Sequence, residues 1–183
     1  MAKRIWNFNP GPATLPLSVL EKARTDLPIY NNTGMAVMEL SHRSDDYAKI
    51  HSEAKSLLKN LLNIPDNYYI LFLQGGASLQ FAMIPLNLLS PGSFADYIIT
   101  GSWSKKAITE ANIIAEGKVT GTSEDKNFSY IPKDFDLHAE AQYLHITSNN
   151  TIAGTQWHTY PDIENVPLVA DMSSDILSRK VDV

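Results

Sequence analysis

Leu71-Phe72-Leu73-Gln74-Gly75-Gly76-Ala77-Ser78-Leu79-Gln80-Phe81 is the stretch whose reading decides the fold. Its apolar opening reads as the end of a buried strand. Two glycines then make a turn, and a helix starts on the far side. A turn of this kind aims several free backbone N–H groups and the positive end of a helix dipole at one point, which suits an anion such as a phosphate. The alternative is a plain strand–turn–helix joint of an α/β protein, and the stretch alone leaves both readings open.

Composition narrows the classes around that turn. The 183 residues suffice for one domain or for part of a larger one, and 44% hydrophobic residues support a sizeable core. The net charge is −5 and the basic residues are dispersed, which argues against nucleic acid and anionic membrane as partners. The absence of cysteine excludes disulfides, thiolate metal sites and a cysteine nucleophile, and fits a cytoplasmic protein. Met1-Ala2-Lys3-Arg4 is basic but no apolar segment follows it, so no signal peptide is expected. No apolar run reaches the roughly 18 residues of a membrane span.

Outward from the turn, the chain alternates strands and helices. Asn7-Phe8-Asn9-Pro10-Gly11-Pro12 enforces an extended, turning arm over residues 1–15. Pro16 starts a helix that Pro28 stops. Ser44 is placed to cap the next helix, with Asp45 and Asp46 in its first turn. Tyr47, Ile50, Ala54, Leu57, Leu58, Leu61 and Leu62 continue it at helical spacing to about Asn63. Residues 68–73 form a continuous apolar, aromatic-rich run, which predicts a strand covered on both faces. The glycine turn leads into a helix over residues 77–88, which Pro85 should bend or shorten. Strands are predicted at 96–100, 118–121, 143–147 and 168–170, with a helix at 104–115 and a polar surface excursion at 122–141. This order implies right-handed crossovers and an α/β fold: a mostly parallel sheet flanked by helices.

In such sheets ligands bind outside the carboxyl ends of the strands. Gln74 to Ser78, Gly101 to Trp103, Ser148 to Thr151 and Asp171 to Ser174 each follow a predicted strand. Together they offer a phosphate cradle, a flat aromatic surface, a hydroxyl and a carboxylate. A flat, phosphorylated, nitrogen-bearing heterocycle such as pyridoxal phosphate would use all of them. Each residue also has an ordinary reading: Trp103 as packing, Asp171 as a turn residue. Nucleotide readings fail, since neither G-x-x-x-x-G-K-[ST] nor G-x-G-x-x-G occurs. The five histidines show no metal-ligand spacing. His42 stands beside Arg43, whose guanidinium can fork onto a carboxylate or phosphate; the plainer reading is a solvated helix entrance.

Five stretches, in order along the whole chain, resemble the phosphoserine aminotransferase family, class-V enzymes of the fold-type I pyridoxal-phosphate group. They are residues 7–12, Val37-Met38-Glu39-Leu40-Ser41-His42-Arg43, residues 73–81, Gly101-Ser102-Trp103-Ser104, and Ala170-Asp171-Met172-Ser173-Ser174-Asp175-Ile176-Leu177-Ser178-Arg179. The resemblance implies an incomplete aspartate-aminotransferase-like large domain over residues 16–183 and a homodimer with active sites near the subunit interface. It implies a pyridoxal-phosphate-dependent transaminase that moves an amino group between glutamate and 3-phosphohydroxypyruvate, a phosphorylated 2-keto acid, in serine biosynthesis. Carried over residue by residue, Ala77 and Ser78 hold the cofactor phosphate and Trp103 stacks on the ring. Thr151 contacts the ring-oxygen side, and Asp171 pairs with the ring nitrogen. Asp171 and Trp103 are thus the catalytic candidates, and Arg43 with His42 the candidates for binding an acidic group of the substrates.

The chain departs from the family at its end. The Schiff-base lysine of these enzymes lies in a Gly-Ala-Gln-Lys-Asn-type stretch, and no such stretch occurs here. Lys180, Lys105 and Lys106 stand in other contexts. The expectation is therefore the N-terminal part of the enzyme, inactive on its own. Alternatives are another aminotransferase of the fold group, or a non-catalytic binding module derived from one.

Overall fold

The computed structural model describes residues 4–181 and 183; Met1-Ala2-Lys3, at the start of the expected arm and of the basic N-terminus, lie outside the described residues. The chain divides into two compact units, Phe72–Arg179 and the remainder on either side of it.

In the smaller unit, the arm closes on itself. Thr14 N–H donates to Asn7 O at 3.0 Å and Asn7 Nδ2 to Pro12 O at 3.1 Å, bracketing the Pro10-Gly11-Pro12 turn. Helix α1 (Leu17–Asp26) starts after Pro16. Helix α2 (Asp45–Leu62) is capped by Ser44, whose Oγ accepts from Tyr47 N–H, and it ends on Asn63 in the left-handed conformation. A short 3-10 turn, Val37–Glu39, precedes it.

The larger unit opens with α3 (Gly76–Leu88) and continues through β1 (Phe94–Ile99), α4 (Ser102–Ile114), β2 (Glu116–Thr122) and β3 (Leu144–Thr147). A small hairpin, β4 (Asn149–Asn150) with β5 (Thr155–Gln156), leads to β6 (Leu168–Asp171). The four long strands form one all-parallel sheet in the order β2-β1-β3-β6. α3 and α4 cover one face: Phe81, Ala107 and Ala111 pack on Ala95, Tyr97, Ile99 and Tyr143. The other face, with Ile98, Leu144 and Ile146, is covered by irregular chain carrying Phe135, Ala141, Trp157 and Val166. The stretch expected as a surface excursion therefore supplies part of the core.

Pro85 lies inside α3 without stopping it. It forgoes the backbone bond to Phe81 O, and the helix continues only three residues beyond it. Residues 68–73 differ from the expected strand. None of them belongs to a described strand, and Tyr69 is 91% exposed and Leu71 68%. An apolar run becomes a buried strand only where neighbours pair with both its edges, and none of the described strands does so.

Candidate functional site

The connection from β1 runs to β2 on one side, and that from β3 runs to β6 on the other. The strand order therefore reverses between β1 and β3, which makes the crevice outside their carboxyl ends the expected ligand position. Thr100, Gly101, Ser148 and Asn150 surround it. Asn150 is buried; its Nδ2 donates to Thr100 Oγ1 at 3.1 Å and to Thr155 Oγ1 at 3.1 Å. Gly101 is required there, because a Cβ would stand 2.9 Å from Asn150 Oδ1.

Neither α3 nor α4 carries a side-chain cap on its first-turn N–H groups. At α4, Ser104 Oγ accepts from Thr100 N–H at 3.0 Å and Gly101 N–H at 3.1 Å, which ties down the turn before the helix. At α3 no side chain caps the helix, and its first backbone bond is Leu79 N–H to Gly75 O at 3.4 Å. The first-turn N–H groups of Gly76, Ala77 and Ser78 are thus available to an anion. Gly75 (φ +91°) and Gly76 (φ +60°) make the turn that presents them.

Ala77 and Asp171 line the same cavity, of about 360 Å³, together with Gln80, Phe81 and His145. Asp171 closes β6, and its Oδ1 accepts from Ser173 N–H at 3.1 Å and Ser173 Oγ–H at 2.6 Å. Ser78 faces a neighbouring hollow beside Lys105 and Lys106, and Trp103 a third one with Gly101, Phe128 and Asn150. Thr151 sits in the turn between β4 and β5 and lines none of these three. His42 and Arg43 belong to the smaller unit, where both are exposed just before the Ser44 cap.

Two polar residues near Asp171 carry no sequence motif. Thr147 stands directly opposite Asp171 in the β3–β6 register, with its hydroxyl buried and without a partner. His145 is buried on the same face, and burial pushes its imidazole down to about 4, against the opposing pull of the Asp171 carboxylate. The alternation of β3 could have flagged both, since polar groups at every second position of a buried strand need a reason. No group of three or more metal-ligating side chains occurs among the described residues, and no described helix is long and apolar enough to cross a membrane.

A model of the family described as aminotransferase class-V matches residues 5–183. The phosphoserine aminotransferase of Halalkalibacterium halodurans is 56% identical over 183 residues, covering 99% of this chain and 51% of the relative. The solved phosphoserine aminotransferase from Bacillus circulans subsp. alkalophilus superposes with a TM-score of 0.95 at 50% identity, over 99% of this chain and 51% of that one. A PLP-bound phosphoserine aminotransferase from Trichomonas vaginalis gives a TM-score of 0.89 at 37% identity, over 97% and 50% of the two chains. The chain spans about half the length of the relatives it matches.

Proposed function

Because this chain belongs to the aminotransferase class-V family, we propose that it is the cofactor-binding N-terminal half of a phosphoserine aminotransferase. The reaction moves the amino group of glutamate to 3-phosphohydroxypyruvate, giving 2-oxoglutarate and O-phosphoserine for serine biosynthesis. The observation that carries this reading is the pairing of an uncapped helix start with a strand-end carboxylate: Ala77 and Asp171 line one cavity.

The residues present fit pyridoxal phosphate, the cofactor to which the family and its PLP-bound relative point. When bound, it supplies an electron sink for the carbanion formed at the substrate Cα. The N–H groups of Ala77 and Ser78 take its phosphate. Trp103 offers a ring face and Thr151 a hydroxyl for the ring-oxygen side. Asp171 holds the proton on the ring nitrogen. Arg43, with His42, binds an acidic group of glutamate or of the phosphorylated keto acid. The whole enzyme works as a cytoplasmic homodimer, and the lysine that tethers the cofactor lies outside these 183 residues.

The test is made on the full-length enzyme. Asp171→Asn should lower turnover by about 100-fold or more, as removal of one stabilising group in an active site does. Bound cofactor, measured by absorbance after gel filtration, should persist because the phosphate and stacking contacts remain. Near-normal turnover of the variant would remove Asp171 from this role. Growth of a serine auxotroph on the full gene separates this activity from those of sibling aminotransferases.

A further inference from the structure

His145 sits at the middle of β3 under α3, and is 2% exposed. Its ring stacks on Tyr97 with centroids 5.0 Å apart and planes 23° apart, and the ring of Phe81 meets it edge-on at 6.2 Å. These two aromatic contacts fix the plane of the imidazole. Its Nδ1 is buried and has no hydrogen-bond partner. A buried polar atom without a partner is destabilising, so an apolar side chain of similar shape would be the more stable choice for packing alone.

The register connects His145 to the site. His145 pairs with Val169 and Thr147 with Asp171, so His145 and Asp171 are diagonal neighbours on one face of the sheet. The Asp171 carboxylate is within electrostatic reach of the ring, where it acts against the effect of burial. Both border the cavity at the start of α3. The ring is neutral at physiological pH, so one of its nitrogens carries a hydrogen and the other a lone pair.

We propose that His145 is a positioning residue for Asp171: its imidazole, held in plane by Tyr97 and Phe81, turns an N–H dipole on the carboxylate across the shared cavity and fixes its aim. This rests on the reading of Asp171 as the partner of the ring nitrogen. The link acts through space in a low-dielectric interior, where a fixed dipole is worth more than in water. It also gives a ring whose Nδ1 has no partner a reason to occupy an otherwise aromatic stack.

The experiment uses the full-length protein in two forms. In the cofactor-free form at neutral pH, the imidazole nitrogen shifts of His145 are read by long-range ¹H–¹⁵N NMR, in the wild type and in Asp171→Asn. Removing the charge should change the tautomer balance; identical shifts would overturn the proposal. In the holoenzyme, His145→Phe preserves the stack and removes the dipole. Its kcat should fall about 10-fold or more, the effect of a misaimed group in an active site, with KM within about twofold and the melting temperature kept. The ¹⁵N shift of the bound cofactor's ring nitrogen should move with it, and His145→Gln should restore much of the loss. Wild-type kcat in His145→Phe, or a loss that Gln leaves unrelieved, would overturn the proposal. A fully active Asp171→Asn enzyme would instead sink the functional reading beneath it.

Discussion

The Lys106 ammonium lies 4.4 Å from the centroid of the Trp103 ring. The two residues stand three apart on α4, where helix geometry makes them surface neighbours. Lys105, one position earlier, points elsewhere: it pairs with Glu124 and covers the Phe128 ring at 5.1 Å. A cation over an indole is worth about 0.5–1 kcal/mol at an exposed site. Lys106→Met keeps the stem and removes the charge. It should weaken cofactor binding by roughly 2- to 5-fold, the equivalent of that energy, by releasing the indole from one orientation. Fluorescence titration of the apoenzyme with pyridoxal phosphate reads this directly. Tighter binding would mean that Lys106 occupies the face the ring needs.

The two turn glycines should respond differently to alanine. At Gly75 the backbone has φ +91°, and a Cβ would lie 2.3 Å from Leu79 Cδ2 and 2.6 Å from Leu79 Cβ. The second contact involves an atom fixed to the helix, so α3 itself must move. At Gly76 φ is +60° and a Cβ meets nothing within 4 Å. Gly76→Ala should therefore cost only the left-handed penalty of about 1–2 kcal/mol. Gly75→Ala should cost more and should also displace the Ala77 and Ser78 N–H groups. Urea melts of the two variants rank the stabilities, and phosphate-dependent cofactor affinity reports the displacement. Equal effects at both positions would mean that Leu79 yields without moving the helix.

What the sequence discloses depends on where each element finds its partners. α2 is legible because its signals are local: the Ser44 cap, the acidic first turn, the apolar period and the Asn63 stop all lie within one stretch. The parallel sheet is legible because its short apolar strands alternate with α4 and turn residues. Residues 68–73 have the composition of a central strand, yet composition reports the wish to be buried and not the presence of a pairing edge. The candidate site divides in the same way. Asp171 follows from the rule of strand ends and Ala77 from the glycine turn before α3, whereas His145 and Thr147 depend on which strand lies beside β6. Lys106 reads as a solvated lysine until the turn of α4 is known.

The buried histidine sets a pH dependence. The folded-state pKa of His145, about 4, lies below the 6.5 of an exposed histidine. Above pH 6.5 the ring is neutral in both states and costs nothing. As the pH falls from 6.5 toward 4, the unfolded chain takes up a proton that the folded one refuses, so unfolding becomes easier. The loss should reach about 2 kcal/mol at pH 5. His145→Phe should lose less stability between pH 7 and pH 5 than the wild type, by that amount. Paired urea melts of the full-length protein isolate this contribution, since every other titrating group is common to both proteins. Parallel pH profiles would mean that the ring is protonated in the folded state.

Asp175 ties the segment after Asp171 to the rest of the sheet. It is 3% exposed, and its carboxylate accepts from Ser148 Oγ at 2.5 Å and Gln156 Nε2 at 3.0 Å, with Arg179 Nη2 at 3.8 Å. Ser148 follows β3, Gln156 belongs to β5, and Arg179 itself donates to His158 O at 3.1 Å and Tyr160 Oη at 3.2 Å. One carboxylate therefore joins the end of β3, strand β5 of the small hairpin and the segment that carries Arg179. Asp175→Ala removes the charged acceptor of Ser148 Oγ and Gln156 Nε2, a change that costs about 1.5–3 kcal/mol per hydrogen bond. Asp175→Asn keeps an acceptor for Ser148 and should cost less. Because residues 172–174 link this anchor to Asp171, the Ala variant should also loosen the Asp171 carboxylate. Cofactor affinity should then fall in Asp175→Ala even at temperatures where the protein remains folded, and recover in part in Asp175→Asn. A variant that lost stability while binding the cofactor as the wild type does would show that Asp171 is held by β6 and Ser173 alone.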